Sequence, residues 1–235
     1  MILCLETATK NCSVALFEHT NGNGVGSMVA FKEAHGEKFI HGEQLHLFID
    51  EVLRAAQCAA TQLTAVAVGR GPGSFTGLRI GVSAAKGLAY ALQIPLLSVP
   101  TLGCFDLNSL EEDRALCVLD ARRDEVFYQW WRRQEDETWS PEGTPNYEII
   151  TPDSWALLDE EPSAVAVLGD CVEKVAQLLQ GQRANWHFYP SALPSAQTTA
   201  PLLEQALVAG PEDVAYFEPF YLKDFVAEKS KKKLL

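Results

Sequence analysis

Residues 65–102 read AVAVGRGPGSFTGLRIGVSAAKGLAYALQIPLLSVPTL. The β-branched run from Thr64 to Gly69 and the stretch from Pro95 to Val99 predict two short strands, and Thr76 to Leu92 predicts a helix between them. A strand running through a glycine-rich turn into a helix is an arrangement whose backbone N–H groups can cradle a phosphate. Two phosphate-binding motifs therefore have to be tested. A P-loop requires GxxxxGK[ST], and no Lys-Ser or Lys-Thr pair follows this turn, so the magnesium and β/γ-phosphate ligands are missing. A dinucleotide fingerprint requires GxGxxG and an acid at the end of the next strand. Here the glycines are Gly71, Gly73 and Gly77, and that strand ends at Pro100. Neither motif is present.

The helix is more informative than the turn. Gly77, Gly81, Ala85 and Ala89 recur at four-residue steps and form one ridge of small side chains; Ser83, Gly87 and Ala91 form a second. Each helical glycine costs roughly 1 kcal/mol relative to alanine, so close approach of another backbone should offset it. The approaching body is either the chain's own sheet or a helix from another molecule, one ridge being available for each.

Upstream, Ile2 to Glu6 and Ser13 to Phe17 predict a β-hairpin around the polar turn Thr7–Asn11, and Gly26 to Ala34 a third strand. From Glu43 to Cys58 the apolar residues Leu45, Phe48, Ile49, Val52, Leu53 and Ala56 mark an amphipathic helix. Hairpin, helix, strand, helix, strand is an α/β layered pattern. The second half repeats it more loosely. Strands are predicted at Ala115–Leu119, Glu125–Trp131 and Val165–Leu168, and helices at Asp153–Leu158 and Cys171–Leu179. The stretch QEDETWSPEGTPN (134–146) and the proline-rich region 191–201 read as surface loops. Trp130 and Trp131, adjacent on a strand, should put one ring into the core and one outside. Two lobes follow, at residues 1–105 and 106–235.

The formal charge is −12 over 235 residues, and it is uneven. Residues 1–105 hold 7 acids and 7 bases, whereas 106–235 hold 24 acids and 12 bases. An acidic surface repels phosphate, so this chain alone is a poor nucleic-acid binder. The Lys229–Lys233 run is the exception, a solvated tail or an RNA-touching one. No apolar run is long enough for a membrane helix, and Glu6 interrupts the N-terminal stretch where a signal peptide would be apolar, so a cytosolic protein with no membrane partner is expected. Six scattered cysteines show no CxxC pair and no zinc spacing.

The segments ILCLETATKNCSVALF (2–17), HGEQLHLFIDEVL (41–53), the stretch 65–102 and EPFYLKDF (218–225) resemble the TsaB (YeaZ) family of bacterial tRNA threonylcarbamoyladenosine synthesis. The resemblance implies an actin/Hsp70-like (ASKHA) fold of two lobes, each a mixed sheet with flanking helices, the second lobe reduced. It also implies a catalytically silent relative of TsaD, which carries the metal and transfers threonylcarbamoyl from threonylcarbamoyl-AMP to the tRNA adenosine beside the anticodon. A TsaE-like ATPase resets that complex, and tRNA is met only through it. The TsaD-like partner is expected on Leu45, Phe48, Ile49, Val52, Gly77, Gly81, Ala84, Ala85 and Leu88, and the same surface is expected to form a homodimer when the chain is alone.

Two enzymatic alternatives can be asked of the residues, a small-molecule kinase and an M22-type metallopeptidase. TsaD-like enzymes hold metal through an HxxxH pair, whereas His41 and His46 are five apart, about 140° off that alignment on a helix. ATP-using members of the fold carry an Asp in the first hairpin. This chain has Glu6, followed by Thr7 and Thr9, and the longer carboxylate disfavours octahedral magnesium geometry. Glu6, Thr7 and Thr9 are therefore read as a vestigial nucleotide loop. No catalytic residue, metal or intrinsic cofactor is assigned; weak nucleotide binding is the residual expectation, with ATP and metal on the partner subunits. Asp120, Arg122, Arg123 and Asp124 read as a hairpin turn with surface ion pairs. A self-associating structural homodimer completes the set of alternatives.

Overall fold

The computed structural model describes residues 1–20, 24–36, 40–155, 164–179 and 184–223. The first lobe is built from β1 (Ile2–Glu6), β2 (Asn11–Thr20), β3 (Gly24–His35), α1 (His41–Ala55), β4 (Ala65–Gly69), α2 (Phe75–Leu92) and β5 (Leu96–Val99). Its sheet runs β3-β2-β1-β4-β5. The hairpin strands pair antiparallel, and β1, β4 and β5 pair in parallel, which requires the α2 crossover. All five residues of β1 are buried, so both faces of the sheet are covered. Leu3 and Leu5 face the core under α1 and α2, while Ile2 and Cys4 face the core on the opposite side.

The second lobe contains β6 (Arg114–Asp120), β7 (Glu125–Arg133), β8 (Trp139–Ile149), β9 (Val165–Gly169), α3 (Val172–Leu178) and β10 (Trp186–Tyr189). Its sheet order, β10-β9-β6-β7-β8, has the same plan: three antiparallel strands, then two parallel ones joined through a helix. This repetition is the two-lobed plan of the actin/Hsp70-like fold. Among the described residues the second lobe has as many strands as the first, and its helix α3 has 7 residues where α1 and α2 have 15 and 18.

Four expectations are corrected. The stretch 134–146 is not all loop, because β8 begins at Trp139. Pro141 and Pro145 disguise it, and they are tolerated because β8 is an edge strand. Trp130 and Trp131 are both buried, one in each of the two cores flanking the second sheet, so neither ring faces water. The helix expected over 153–158 is absent up to Trp155, where the chain makes a turn, and its remainder lies outside the described residues, as does the lysine run 229–233.

The division at residue 106 also fails at its far end. The proline-rich region leads into α4 (Ala200–Ala209), which returns to the first lobe. Leu202, Leu203 and Ala206 join Ile2, Ala15, Phe17, Ala67 and Leu97 in one core. Residues 212–221 then run beside α2. Glu212 N–H donates to the Leu96 carbonyl at 2.8 Å and Phe220 N–H to the Arg70 carbonyl at 2.7 Å.

Candidate docking groove

The turn ahead of α2 is shaped by the chain's own hairpin. Ser74 N–H donates to the Ala8 carbonyl at 2.7 Å, and Ser74 Oγ caps the helix by accepting the Gly77 N–H at 3.3 Å. Gly73 has φ +156, and a Cβ there would sit 2.6 Å from the Ala8 carbonyl oxygen. A Cβ at Gly77 would overlap the Thr7 carbonyl oxygen, and one at Gly81 the Thr7 hydroxyl. Thr7 Oγ1 donates to the Gly77 carbonyl at 2.9 Å, clamping the hairpin tip to the first turn of α2. The ridge Gly77, Gly81, Ala85, Ala89 therefore packs inward. Its close neighbour is the chain's own β1–β2 connection, not a second molecule.

The same contacts close the nucleotide loop. Glu6, Thr7 and Thr9 are buried. Glu6 Oε1 accepts the Ala8 N–H at 2.7 Å and Oε2 accepts the Thr101 hydroxyl at 3.0 Å. Burial raises the Glu6 pKa against those bonds, so the group leans towards its protonated form. Its carboxyl fills the space that a side chain at Gly69 would need. Glu6 ties the hairpin to Thr101, just after β5, Thr7 ties it to α2, and the Thr9 carbonyl meets His41 of α1; all three residues are buried. Among the described residues no three His, Cys, Asp or Glu side chains converge on a metal-sized site.

Seven of the nine interface residues expected from the sequence lie inside the chain. Leu45, Phe48, Ile49 and Val52 fill the core between α1 and the first sheet, and Gly77, Gly81 and Ala85 face the hairpin and the sheet. An apolar helix stripe covers its own sheet first, and a 15-residue helix has one such stripe. Only Ala84 and Leu88 line an open groove between α1 and α2, Leu88 half-buried and Ala84 buried at its floor.

His41, Gly42 and His46 form the α1 side of that groove. Phe75, Thr76, Arg79, Ile80, Ser83, Ala84, Gly87 and Leu88 form the α2 side. His41 is buried at the groove's base, its Nε2 2.7 Å from the Thr9 carbonyl, which fixes a proton on that nitrogen; burial lowers its pKa. His46 is exposed, so the two histidines do not act together. Tyr90, 73% exposed, continues the same face of α2. The second small ridge, Ser83, Gly87 and Ala91, is exposed along its whole length.

Gly42 and Gly87 differ from the inward glycines. A Cβ at either would meet nothing within 4 Å. The chain gains no packing from leaving these positions bare, although mid-helix Gly87 costs about 1 kcal/mol relative to alanine. Nothing in the sequence singles out Arg79, Ile80, Thr76 and Tyr90, because helical spacing assigns residues to a face without saying which face meets water.

The far flank of α2 is held by the closing segment. Lys86 Nζ donates to the carbonyls of Ala215 and Phe217 at 3.1 and 2.9 Å, and Tyr221 packs on Phe75 with ring centroids 5.2 Å apart. Lys223 pairs with Glu125 at the β6–β7 turn, tying this segment to the second lobe. In that turn Arg122 and Arg123 have positive φ, and Asp120 accepts the Arg122 N–H at 3.1 Å and Lys174 Nζ at 2.7 Å.

Four similarities to known proteins bear on the groove. Residues 39–138, which include α1 and α2, match the family model of TsaD, tRNA N6-adenosine threonylcarbamoyltransferase. The chain is 29% identical to the tRNA threonylcarbamoyladenosine biosynthesis protein TsaB of Escherichia coli, over 97% of this chain and 96% of that one. A tRNA N6-adenosine threonylcarbamoyltransferase of Staphylococcus haemolyticus is 32% identical, over 48% of this chain and 36% of its own length. The solved structure of YeaZ from Pseudomonas aeruginosa superposes with a TM-score of 0.77 at 28% identity, covering 94% of this chain and 99% of that one. In sequence and fold this chain is similar along nearly its whole length to TsaB/YeaZ proteins.

Proposed function

We propose that this chain is the non-catalytic subunit of a tRNA threonylcarbamoyladenosine-forming assembly, and that it lays the α1–α2 groove against the corresponding helices of a TsaD-like subunit. The transfer chemistry, the metal and the ATP belong on that reading to the TsaD-like and TsaE-like subunits, and tRNA is met through the complex in the cytosol. Similarity to TsaB supports the pathway.

The observation that carries the docking mode is Gly87. It lies mid-helix and exposed, with open space where a side chain would be, beside Ser83 and Ala84. Small residues on an exposed face allow a second helix to approach near the lower limit of interaxial distance, about 8 Å, and recover dispersion contacts. The hairpin supports a non-catalytic role: Glu6 is committed to Ala8 and Thr101, and the α2 N-terminus is capped by Ser74 and clamped by Thr7.

The test is Gly87→Trp. A side chain there meets open space, so the thermal midpoint and circular dichroism of the isolated chain should stay close to wild type. Co-purification with a TsaD-like subunit and threonylcarbamoyl transfer to tRNA should both be lost. A folded variant that still co-purifies refutes the docking mode.

A further inference from the structure

We propose that Arg79 is the specificity residue of this groove: a pre-positioned guanidinium that engages a carboxylate on the helix of the TsaD-like partner and favours that partner over a second copy of this chain. The inference rests on the docking reading above.

Arg79 is exposed on α2, yet its orientation is fixed. Its guanidinium carbon lies 4.0 Å from the centroid of the Phe75 ring, and its Nε donates to the Tyr221 hydroxyl at 3.2 Å. Phe75 is in turn packed on Tyr221. The side chain is therefore stacked on one face and tethered at Nε, leaving the two terminal nitrogens as a fork. A fork held this way loses little rotamer freedom on binding and matches a carboxylate in two-point geometry. Among the described residues no carboxylate pairs with it. The other α2 cation, Lys86, is by contrast consumed by the carbonyls of Ala215 and Phe217.

Among the described residues, the lining of the groove around Arg79 carries no acid. It consists of histidines, small residues, Phe75, Thr76, Ile80 and Leu88. Of the three acidic residues exposed on α1, Asp50 pairs with Arg54 and Glu51 with Lys32, each at 2.8 Å, and Glu43 is not part of the lining. A two-fold homodimer over this face would set two such grooves together, bringing two guanidinium groups to a lining with no carboxylate to receive them. A partner helix with an Asp or Glu opposite Arg79 removes that penalty, so the charge discriminates against self-pairing as well as favouring the partner. Arginine beside an aromatic ring is also the residue type that most often dominates an interface.

The experiment measures two dissociation constants in each variant, by titration with the TsaD-like subunit and by sedimentation equilibrium of the chain alone. Arg79→Gln should weaken the heterodimer about tenfold or more, leave the homodimer within about threefold or tighten it, and flatten the salt dependence of heterodimer formation. Arg79→Lys should not restore binding, because an ammonium lacks the fork. Tyr221→Phe should weaken the heterodimer by a smaller factor while the ring packing survives. A heterodimer within about threefold of wild type in Arg79→Gln overturns the proposal. So does a homodimer that weakens as much as the heterodimer. A variant that loses only the binding of tRNA to the isolated chain overturns it too, and would assign Arg79 to phosphate. Gly87→Trp keeps the two readings apart. If that variant abolishes the heterodimer and Arg79→Gln does not, docking stands and only the role of Arg79 fails; if Gly87→Trp binds normally, docking itself fails.

Discussion

The two faces of α2 use glycine in opposite ways. On the inner face, Gly77 and Gly81 leave room for Thr7, whose carbonyl and hydroxyl occupy the positions two Cβ atoms would take. On the outer face, Gly87 leaves room for nothing in the chain. Both kinds weaken the isolated helix by a similar amount, but only the inner ones are compensated within the fold. The difference teaches that a small-residue ridge is a record of close approach, and that the approaching body must be found separately for each ridge. Here one helix holds its own hairpin on one side and presents a groove on the other.

The largest effect is expected from filling an inner glycine. Gly77→Val places a Cβ in overlap with the Thr7 carbonyl oxygen and 3.3 Å from His41 Cδ2, with two methyl groups still to accommodate. A backbone oxygen in a hairpin tip clamped at Ser74 and Gly77 cannot swing aside as a side chain would. The isolated chain should lose about 3 kcal/mol or more and become largely insoluble. Urea unfolding of whatever remains folded measures this, and a stability within about 1 kcal/mol of wild type would show that the inner ridge is not under contact pressure. Gly81→Leu belongs to the same class. It reports on folding before it reports on any partner, and this is why Gly87 serves as the docking probe.

A smaller effect is expected where the inner face ends, at the Glu6–Thr101 contact. Thr101 is fully buried; its hydroxyl donates to Glu6 Oε2 and accepts the Gly71 N–H at 3.1 Å. Thr101→Val keeps the shape and removes both bonds, which should cost about 2 kcal/mol at pH 7. The pH dependence follows from the direction of the Glu6 shift. Burial raises this pKa above 4.5, so the folded chain binds the proton more tightly than the unfolded chain. The group's contribution to stability is fully present below the unfolded value and is lost as pH rises through the folded one. The Thr101 bond opposes that shift, so its removal raises the folded pKa further and extends the loss to higher pH. The cost of Thr101→Val, measured against wild type by urea melts, should therefore be smaller at pH 4 than at pH 7. An equal cost at both would mean that Glu6 in the fold does not change its protonation between pH 4 and pH 7.

The first lobe was legible in the sequence because its segments are individually periodic: β-branched strands, an amphipathic α1, and an α2 bounded by Ser74 and a run of strand residues. The second lobe was legible in type but not in extent. β8 carries Pro141, Gly143 and Pro145, which are loop signals in isolation and harmless on an edge strand, whose outer N–H groups need no partner. The return of α4 to the first lobe is a tertiary fact: Leu202 and Leu203 are apolar wherever they pack, and nothing local names Phe17 as their neighbour. Trp130 and Trp131 illustrate the same limit, since alternation separates their faces but does not say that both faces are covered. The groove was half legible. Spacing yielded both ridges of α2, and their orientation came only from seeing Thr7 beside Gly77 and Gly81.

The smallest change sharpens the comparison most. Gly87→Ala adds one methyl group to open space on an exposed face, so the isolated chain should gain about 0.5–1 kcal/mol from helix propensity and reduced freedom of the unfolded chain. The inner glycines offer no such gain, because the methyl there meets Thr7. If the partner helix packs as closely as a bare glycine permits, the same methyl should weaken the heterodimer by a few-fold even as it stabilises the monomer, so that thermal stability and affinity move in opposite directions. Calorimetry of the isolated chain and titration with the TsaD-like subunit read the two quantities separately. A stabilised chain with undiminished affinity would mean that the partner leaves a gap over Gly87 and that contact is concentrated elsewhere along the groove. A chain that is not stabilised would mean that the outer face of α2 is already constrained, and the contrast between its two faces would have to be drawn less sharply.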